Sequence, residues 1–538
     1  MKIPAPQPDR AAIRRPRARI GPLASALLAV AFTGCDAATP PEPSPPDVLL
    51  VVVDTVRADR SSSYGYARPT TIQLSALAEA GLLFEDVTAP ASWTLPSHAS
   101  LFTGQPPWIH GAHSLSARDV EAAGDAPSEL FGMQVSALRT DLPTLAERFT
   151  QAGYRSVALV ANPWLGPEMG ITRGFARVDV FDSDAEVVTA ALAALEERDD
   201  RPLLLFLNLM SAHAPYLEGP GEWRAQPSEW LDPASAPEWL RPYLLPEPGP
   251  EAAADHEGGA RIGAGSSDPE MPGARGGDRT DTTRGVQLSN PTRSDPMGAL
   301  MRHHGGELKI PEDGLRFVGR LYDAGIRGAD FSFGRVLERW AGRSPDGVVA
   351  VTSDHGEGLG EHGLLEHRAS VYPEVLRVPL VLAAPGRLEG GKHVTTPVAL
   401  HELHDALLEL AGLAEPGSSE LLAIAEGDPR SAAIAAAAWP VADWDAKFGG
   451  RYSKLWRLYR EADEALIWSD ADDVELYRVD RDPEMRANLA PLEPERADAL
   501  LSRAKAHFDA QPGAATGRIE ISKEMRERLK ALGYSGAD

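Results

Sequence analysis

The apolar run Val48-Leu49-Leu50-Val51-Val52-Val53 stops at a carboxylate, Asp54, and a second run, Val348-Val349-Ala350-Val351, leads into the pair Asp354-His355. Uninterrupted apolar runs of this length fit strands buried on both faces, as parallel sheets require. Two such strands carry their terminal ligands to one edge of the sheet, the edge at which open α/β folds bind ligands. Between the runs lies Ser92-Trp93-Thr94-Leu95-Pro96-Ser97-His98-Ala99-Ser100-Leu101. The hydroxyl of Thr94 is a poor nucleophile unless a metal or base activates it. Here the hydroxyl and the hard metal ligands come as a set.

The remaining periodicities extend this into a doubly wound α/β domain with a largely parallel sheet. Asp47 to Asp54 reads as the first strand, Thr70 to Gly81 as a helix, and Leu82-Leu83-Phe84 as the start of a short strand or turn. Ser97 to Phe102 reads as a helix start behind Thr94, aiming backbone N–H groups at any anion there. Leu142 to Ala152 and Ala185 to Glu197 have helical spacing, whereas Arg155 to Ala161 and Leu203 to Leu209 read as strands. Helical periodicity returns from Leu315 to Trp340. From about Arg451, short aromatic-rich segments (Tyr452 to Leu458, Ala465 to Trp468, Val474 to Tyr477) predict a small antiparallel subdomain.

Length and charge limit the possible functions. A chain of 538 residues can bury a large core. A formal charge of −25 argues against nucleic acid as a partner, because a phosphate backbone would be repelled. Arg14, Arg15, Arg17 and Arg19 precede a short apolar stretch, Ile20 to Phe32, which reads as an export signal and is too short for a membrane span. Phe32-Thr33-Gly34-Cys35 follows, and Cys35 is the sole cysteine, so no disulfide can form within the chain. The expected organisation is a signal over residues 1–35, a proline-rich tether over 36–46, a catalytic domain over 47–445 and a C-terminal subdomain over 446–538. Within the third of these, Gly249 to Asn290 has very few large apolar residues, so an insertion at about 249–300 is expected to lack stable structure of its own.

Several segments, in family order, resemble the sulfatase branch of the alkaline phosphatase superfamily. They are Asp54-Thr55-Val56-Arg57-Ala58-Asp59, Thr94-Leu95-Pro96-Ser97-His98, Phe102-Thr103-Gly104, His213-Ala214-Pro215-Tyr216 and Ser353-Asp354-His355-Gly356-Glu357. Glu361-His362-Gly363, Arg377-Val378-Pro379-Leu380, Glu475-Leu476-Tyr477 and Asp480-Arg481-Asp482-Pro483 continue the series. Phe32-Thr33-Gly34-Cys35 likewise resembles a bacterial lipoprotein box. It implies that Cys35 carries lipid and tethers an exported protein to a bacterial membrane.

The departures from the family pattern are chemical. Sulfatases carry a Cys or Ser at the position of Thr94, which is oxidised to formylglycine, and an Arg at the position of His98. Oxidising the secondary alcohol of threonine would give a ketone, so Thr94 cannot become formylglycine. Threonine nucleophiles belong to relatives that cleave or transfer phosphate esters. The resemblance implies that Asp54, Asp354 and His355 hold one divalent cation, with manganese, zinc, magnesium and calcium all compatible. A second metal is not expected, since the segment at His213 lacks the Asp of two-zinc relatives. His213 is the implied general acid. His98 is expected to bind the anion or orient Thr94, and Arg57 to stabilise the nucleophile or pair with Asp54. His362 and His367 are candidate substrate contacts. The expected activity is phosphate-ester cleavage or transfer on an anionic ester. The alternatives are sulfate-ester hydrolysis without formylglycine, or a non-catalytic lipoprotein that binds anions.

Overall fold

The computed structural model describes residues 44–114, 128–130, 133–214, 216, 302–303, 305–440, 450–509, 523 and 528. The signal segment, Cys35, most of the tether and the insertion at 249–300 lie outside the described residues. Among the described residues, no helix is long and apolar enough to cross a membrane.

A nine-stranded sheet organises the molecule. Its strands are β1 (Val48–Val53), β2 (Leu82–Thr88), β3 (Arg155–Val160), β4 (Arg177–Val180), β5 (Leu203–Leu209), β6 (Val348–Thr352), β7 (Arg377–Ala383), β8 (Lys392–Val394) and β9 (Val398–Ala399). They lie in the order β8-β2-β7-β6-β1-β5-β3-β4, with β9 also on β2. Only β7 runs against the others, between β2 and β6. The sheet is therefore largely parallel, as the apolar runs predict.

Side chains alternate across β1. Val48, Leu50 and Val52 pack on one face with Leu95, Phe102, Phe149 and Phe206. Leu49, Val51 and Val53 pack on the other with Leu74, Val187, Phe317 and Phe333. This period of two, with apolar cover on both sides, is what a doubly wound sheet demands. Helices α2 (Thr94–Thr103) and α3 (Leu145–Gln151) belong to the first face. Helices α1 (Ile72–Ala80), α4 (Asp184–Glu196) and α5 (Glu312–Arg343) belong to the second. Helix α3 begins at a full capping box, with Thr144 and Glu147 each bonding the other's backbone N–H.

Three elements differ from the sequence reading. Strand β2 extends to Thr88, because Glu85 and Asp86 are tolerated at half-buried positions. Helix α2 starts at Thr94 itself, on extended Trp93, rather than at Ser97. The small antiparallel sheet has a fourth strand, β10 (Ile434–Ala438), ahead of β11 (Trp456–Glu461), β12 (Glu464–Ser469) and β13 (Val474–Arg478). Helix α6 (Pro494–Asp509) covers this sheet through Ala497, Leu500 and Ala504.

Candidate active site

The carboxyl ends of β1, β6, β5 and β3 deliver Asp54, Asp354-His355, His213 and Asn162 to one edge of the sheet. The loops after β1 and β6 are stitched together. Ser353 Oγ accepts from Val56 N at 2.8 Å and donates to the His355 carbonyl at 2.7 Å. Thr55 N donates to Asp354 Oδ1 at 3.3 Å. The turn at Thr55 has φ of 61°, a left-handed conformation that a β-branched residue rarely takes. Tyr322 of α5 holds it there, its hydroxyl donating to the Thr55 carbonyl at 2.6 Å and accepting from Arg57 N at 2.9 Å. At the third loop, Asp184 at the start of α4 accepts from Met210 N at 2.6 Å and from the N–H and hydroxyl of Ser211. Gly325 of α5 lets the helix approach this loop, since a Cβ there would run into the Ser211 carbonyl oxygen.

Asp54, Asp354 and His355 are wholly buried and offer three ligand atoms within 4.8 Å of one another. His355 Nδ1 lies 2.9 Å from the Gly356 carbonyl, which can only accept, so Nδ1 carries the proton and Nε2 the lone pair. Nε2 lies 3.4 Å from Asp354 Oδ2 and 3.8 Å from Asp54 Oδ1. All three atoms are buried without a hydrogen-bond partner. Orphaned polar atoms are rare in folded interiors, and two oxygens and an imidazole nitrogen aimed at one point fit a divalent cation. Burial pushes the Asp54 carboxyl up, and the Asp354 charge beside it pushes it further. Burial also opposes ionisation of Asp354, but His355 and His98 outweigh it and hold that carboxyl at about 2.

Thr94 is fully buried, with its hydroxyl 3.5 Å from Asp54 Oδ2. Asn162, just past β3, is the site residue that the sequence reading missed. Its Nδ2 lies 2.8 Å from Asp54 Oδ2 and 3.1 Å from Thr94 Oγ1. The signal was the one that exposed Asp54, a polar residue directly after a buried strand, but a neutral amide is not a typical metal ligand.

His98 lies 3.4 Å through Nδ1 from Asp354 Oδ2 and 3.0 Å from the Thr94 carbonyl. Its ring packs edge-on against Phe102 and Phe206, with centroids 6.2 and 6.0 Å away. It thus ties into the first turn of α2 and stands beside the Asp354 carboxylate. His213 donates through Nδ1 to the Ala214 carbonyl at 2.6 Å. Its ring meets His367 edge-on at 5.3 Å, and His367 in turn lies against His355 at 4.4 Å. His367 Nδ1 is 3.3 Å from Glu357 Oε1. Burial, then His355 and His213, push the His367 imidazole well down. Burial, then Glu366, push the Glu357 carboxyl well up. His367 Nε2 is left without a hydrogen-bond partner among the described residues.

Two expected contacts are directed elsewhere. Arg57 pairs with Asp59 at 2.7 Å and Glu361 at 2.8 Å, and also donates to the Glu357 carbonyl. Its charge is met by these carboxylates, not by Asp54. His362 spends Nδ1 on Glu374 at 2.9 Å and Nε2 on the Met485 carbonyl at 3.0 Å, stacked on Tyr372 at 3.8 Å. This leaves neither ring nitrogen for an anion.

The model of the Sulfatase family matches residues 46–413. The Delta 4,5-hexuronate-2-O-sulfatase of Bacteroides thetaiotaomicron is 21% identical over 83% of this chain and 84% of its own length. Among solved structures, the phosphonate monoester hydrolase of Silicibacter pomeroyi superposes with a TM-score of 0.59 at 18% identity, covering 88% of this chain and all (100%) of that one. The phosphonate monoester hydrolase of Agrobacterium radiobacter gives 0.57 at 17% identity, covering 86% and 96%. At these identities the superpositions establish the fold.

Proposed function

This chain belongs to the sulfatase family, and from that membership we propose that it cleaves phosphate esters through a covalent intermediate on Thr94. The observation that carries the reading is the Thr94 hydroxyl itself. It sits at the first turn of α2, beside the Asp54 carboxylate, on a side chain that cannot become formylglycine. The two phosphonate monoester hydrolases that share the fold support a phosphorus-centred reaction.

Members of this superfamily bind a divalent metal ion, and here Asp54, Asp354 and His355 would hold it. Such an ion polarises the ester's non-bridging oxygens and lowers the cost of the Thr94 alkoxide. The Thr94 hydroxyl gives its proton to water, and its oxygen attacks phosphorus as the bond to the leaving oxygen breaks. His213, protonated, hands its proton to that oxygen. A phosphoryl group then rests on Thr94. Water next attacks phosphorus and gives a proton to neutral His213. The bond to Thr94 breaks, and its oxygen takes back from water the proton it gave up. His98 stands beside Asp354 throughout, and His367 is the nearest candidate for a hydrogen bond to substrate.

A second reading, hydrolysis of sulfate esters, is favoured by the sulfatase names of the matched relatives, including the hexuronate-2-O-sulfatase. Thr94 argues against it. The hydrated aldehyde of formylglycine expels sulfate by means of a second hydroxyl, and Thr94 has only one. Either substrate would be an anionic ester. A panel of aryl phosphate monoesters, diesters, phosphonates and sulfates, run with manganese, zinc, magnesium or calcium, tests the assignment. A Thr94→Ala control that turns over any of them at the wild-type rate would overturn it.

We further propose that Cys35 is lipidated and tethers the exported enzyme to a bacterial membrane. The apolar stretch and the lone cysteine support this reading. Mass spectrometry of the mature N-terminus should find a diacylated Cys35. An unmodified Cys35 would rule the anchor out.

A further inference from the structure

We propose that Asn162 is a catalytic residue, whose amide stabilises the Thr94 oxygen as it becomes an alkoxide and turns Asp54 toward the metal. The inference rests on the assignment of Thr94 as nucleophile and adds a group outside the segments that carry the family resemblance.

The orientation of the amide follows from its partners. At ordinary accuracy the oxygen and nitrogen of an asparagine are interchangeable, and only the hydrogen-bond network assigns them. Here the network leaves no choice. Asn162 Oδ1 accepts from Trp164 N at 3.0 Å, and a backbone N–H can only donate. The other amide atom is therefore Nδ2, and it faces the Asp54 carboxylate at 2.8 Å, which can only accept. Its second hydrogen points at Thr94 Oγ1, 3.1 Å away. The backbone of Asn162 is fixed as well, because its N–H donates to Asn208 Oδ1 at 3.0 Å. Asn208 stands in fully buried β5, paired in register with Val52 of β1 and Val160 of β3. The donor thus hangs from the centre of the sheet, and all of these side chains are fully buried.

Two consequences follow. First, Thr94 Oγ1 already receives a hydrogen bond in the resting protein, so negative charge developing on it meets a preorganised donor in a buried site. Second, Nδ2 occupies Asp54 Oδ2 and leaves Oδ1, the oxygen with no hydrogen-bond partner, to face His355 Nε2. One neutral amide therefore couples the nucleophile to the metal ligand. Being uncharged, it does not compete with the cation for Asp54.

Asn162→Asp is the discriminating variant, since it keeps the oxygen that caps Trp164 and the side-chain volume but replaces the donor. With the full chain and an aryl phosphate, it should lose about 100-fold or more in kcat, as removal of one oxyanion donor does elsewhere, with KM changed much less. Asn162→Ala should show a similar kcat loss and weaken manganese binding by about 10-fold, as loss of a ligand-orienting group does. Manganese affinity is read by calorimetry on protein without substrate, so that arm stands even if no ester is turned over. Thr94→Ala in the same series separates the two ideas. If it stays active, the nucleophile is misassigned, whereas the Asn162–Asp54 coupling is still judged by manganese affinity. Wild-type kcat and manganese affinity in both folded Asn162 variants would overturn the proposal.

Discussion

His355 presents Nε2 to Asp354 Oδ2 across 3.4 Å, and neither atom has a hydrogen-bond partner. An imidazole lone pair and a carboxylate oxygen at that separation repel unless a cation or proton lies between them. Asp354→Asn should therefore cost most of the metal affinity and nearly all activity. Chelation of the wild type should abolish turnover, and added divalent ion should restore it. Metal analysis after dialysis checks both, and a fully occupied, active Asp354→Asn protein would mean that the site is elsewhere.

His213 is assigned the proton that the leaving oxygen receives. Its removal should matter most where that oxygen is most basic. His213→Ala is expected to lose about 100- to 10,000-fold on an alkyl phosphate and much less on a nitrophenyl ester. Equal losses on the two substrates would show that His213 does not supply the proton.

Gly325 lies where α5 meets the Ser211 carbonyl, in the loop that carries His213. Gly325→Ala should destabilise the fold by about 1–3 kcal/mol through overpacking, read as a lower urea midpoint with an unchanged slope. A variant as stable as wild type would show that α5 and this loop are not in close contact.

Asp184 links stability to pH. Burial pushes its folded-state carboxyl up to about 6 from an ordinary 3.8, despite the hydrogen bonds from Met210 and Ser211. A raised folded value means that the native state holds its proton longer than the unfolded chain. The contribution is therefore present at low pH and lost between about pH 4 and 6, amounting to about 3 kcal/mol for a shift of this size. The stability of wild type relative to Asp184→Asn should fall by that order as pH rises from 4 to 7. A constant difference would contradict the buried, raised carboxyl.

The parts of the fold legible in the sequence are those whose environment is uniform. Val48–Val53, Leu203–Leu209 and Val348–Thr352 are buried on both faces and read as apolar runs. Strand β2 was half legible, because Glu85 and Asp86 interrupt the run that buries Leu82 to Phe84. Strand β10 consists of Ile434 and four alanines, a composition with no local preference for a strand, and only pairing with β11 makes it one. In the site, Asp54, Asp354, His355 and Thr94 were legible by residue type and position. The partners of Arg57 were not, since Asp59 is two residues away and Glu361 lies on a distant loop. Asn162 also stands just past a buried strand, but a neutral amide is not a typical metal ligand, and its role shows only once its two acceptors are seen.

The central claim is that Thr94 opens phosphate rather than sulfate esters. It is tested most directly by measuring kcat/KM for an aryl phosphate and an aryl sulfate with the same leaving group, on metal-loaded enzyme with Thr94→Ala as control. The phosphate should turn over much faster, with a phosphorylated Thr94 peptide trapped by rapid acid quench and no turnover in the control. Faster hydrolysis of the sulfate than of every phosphate ester, or an active Thr94→Ala enzyme, would contradict it.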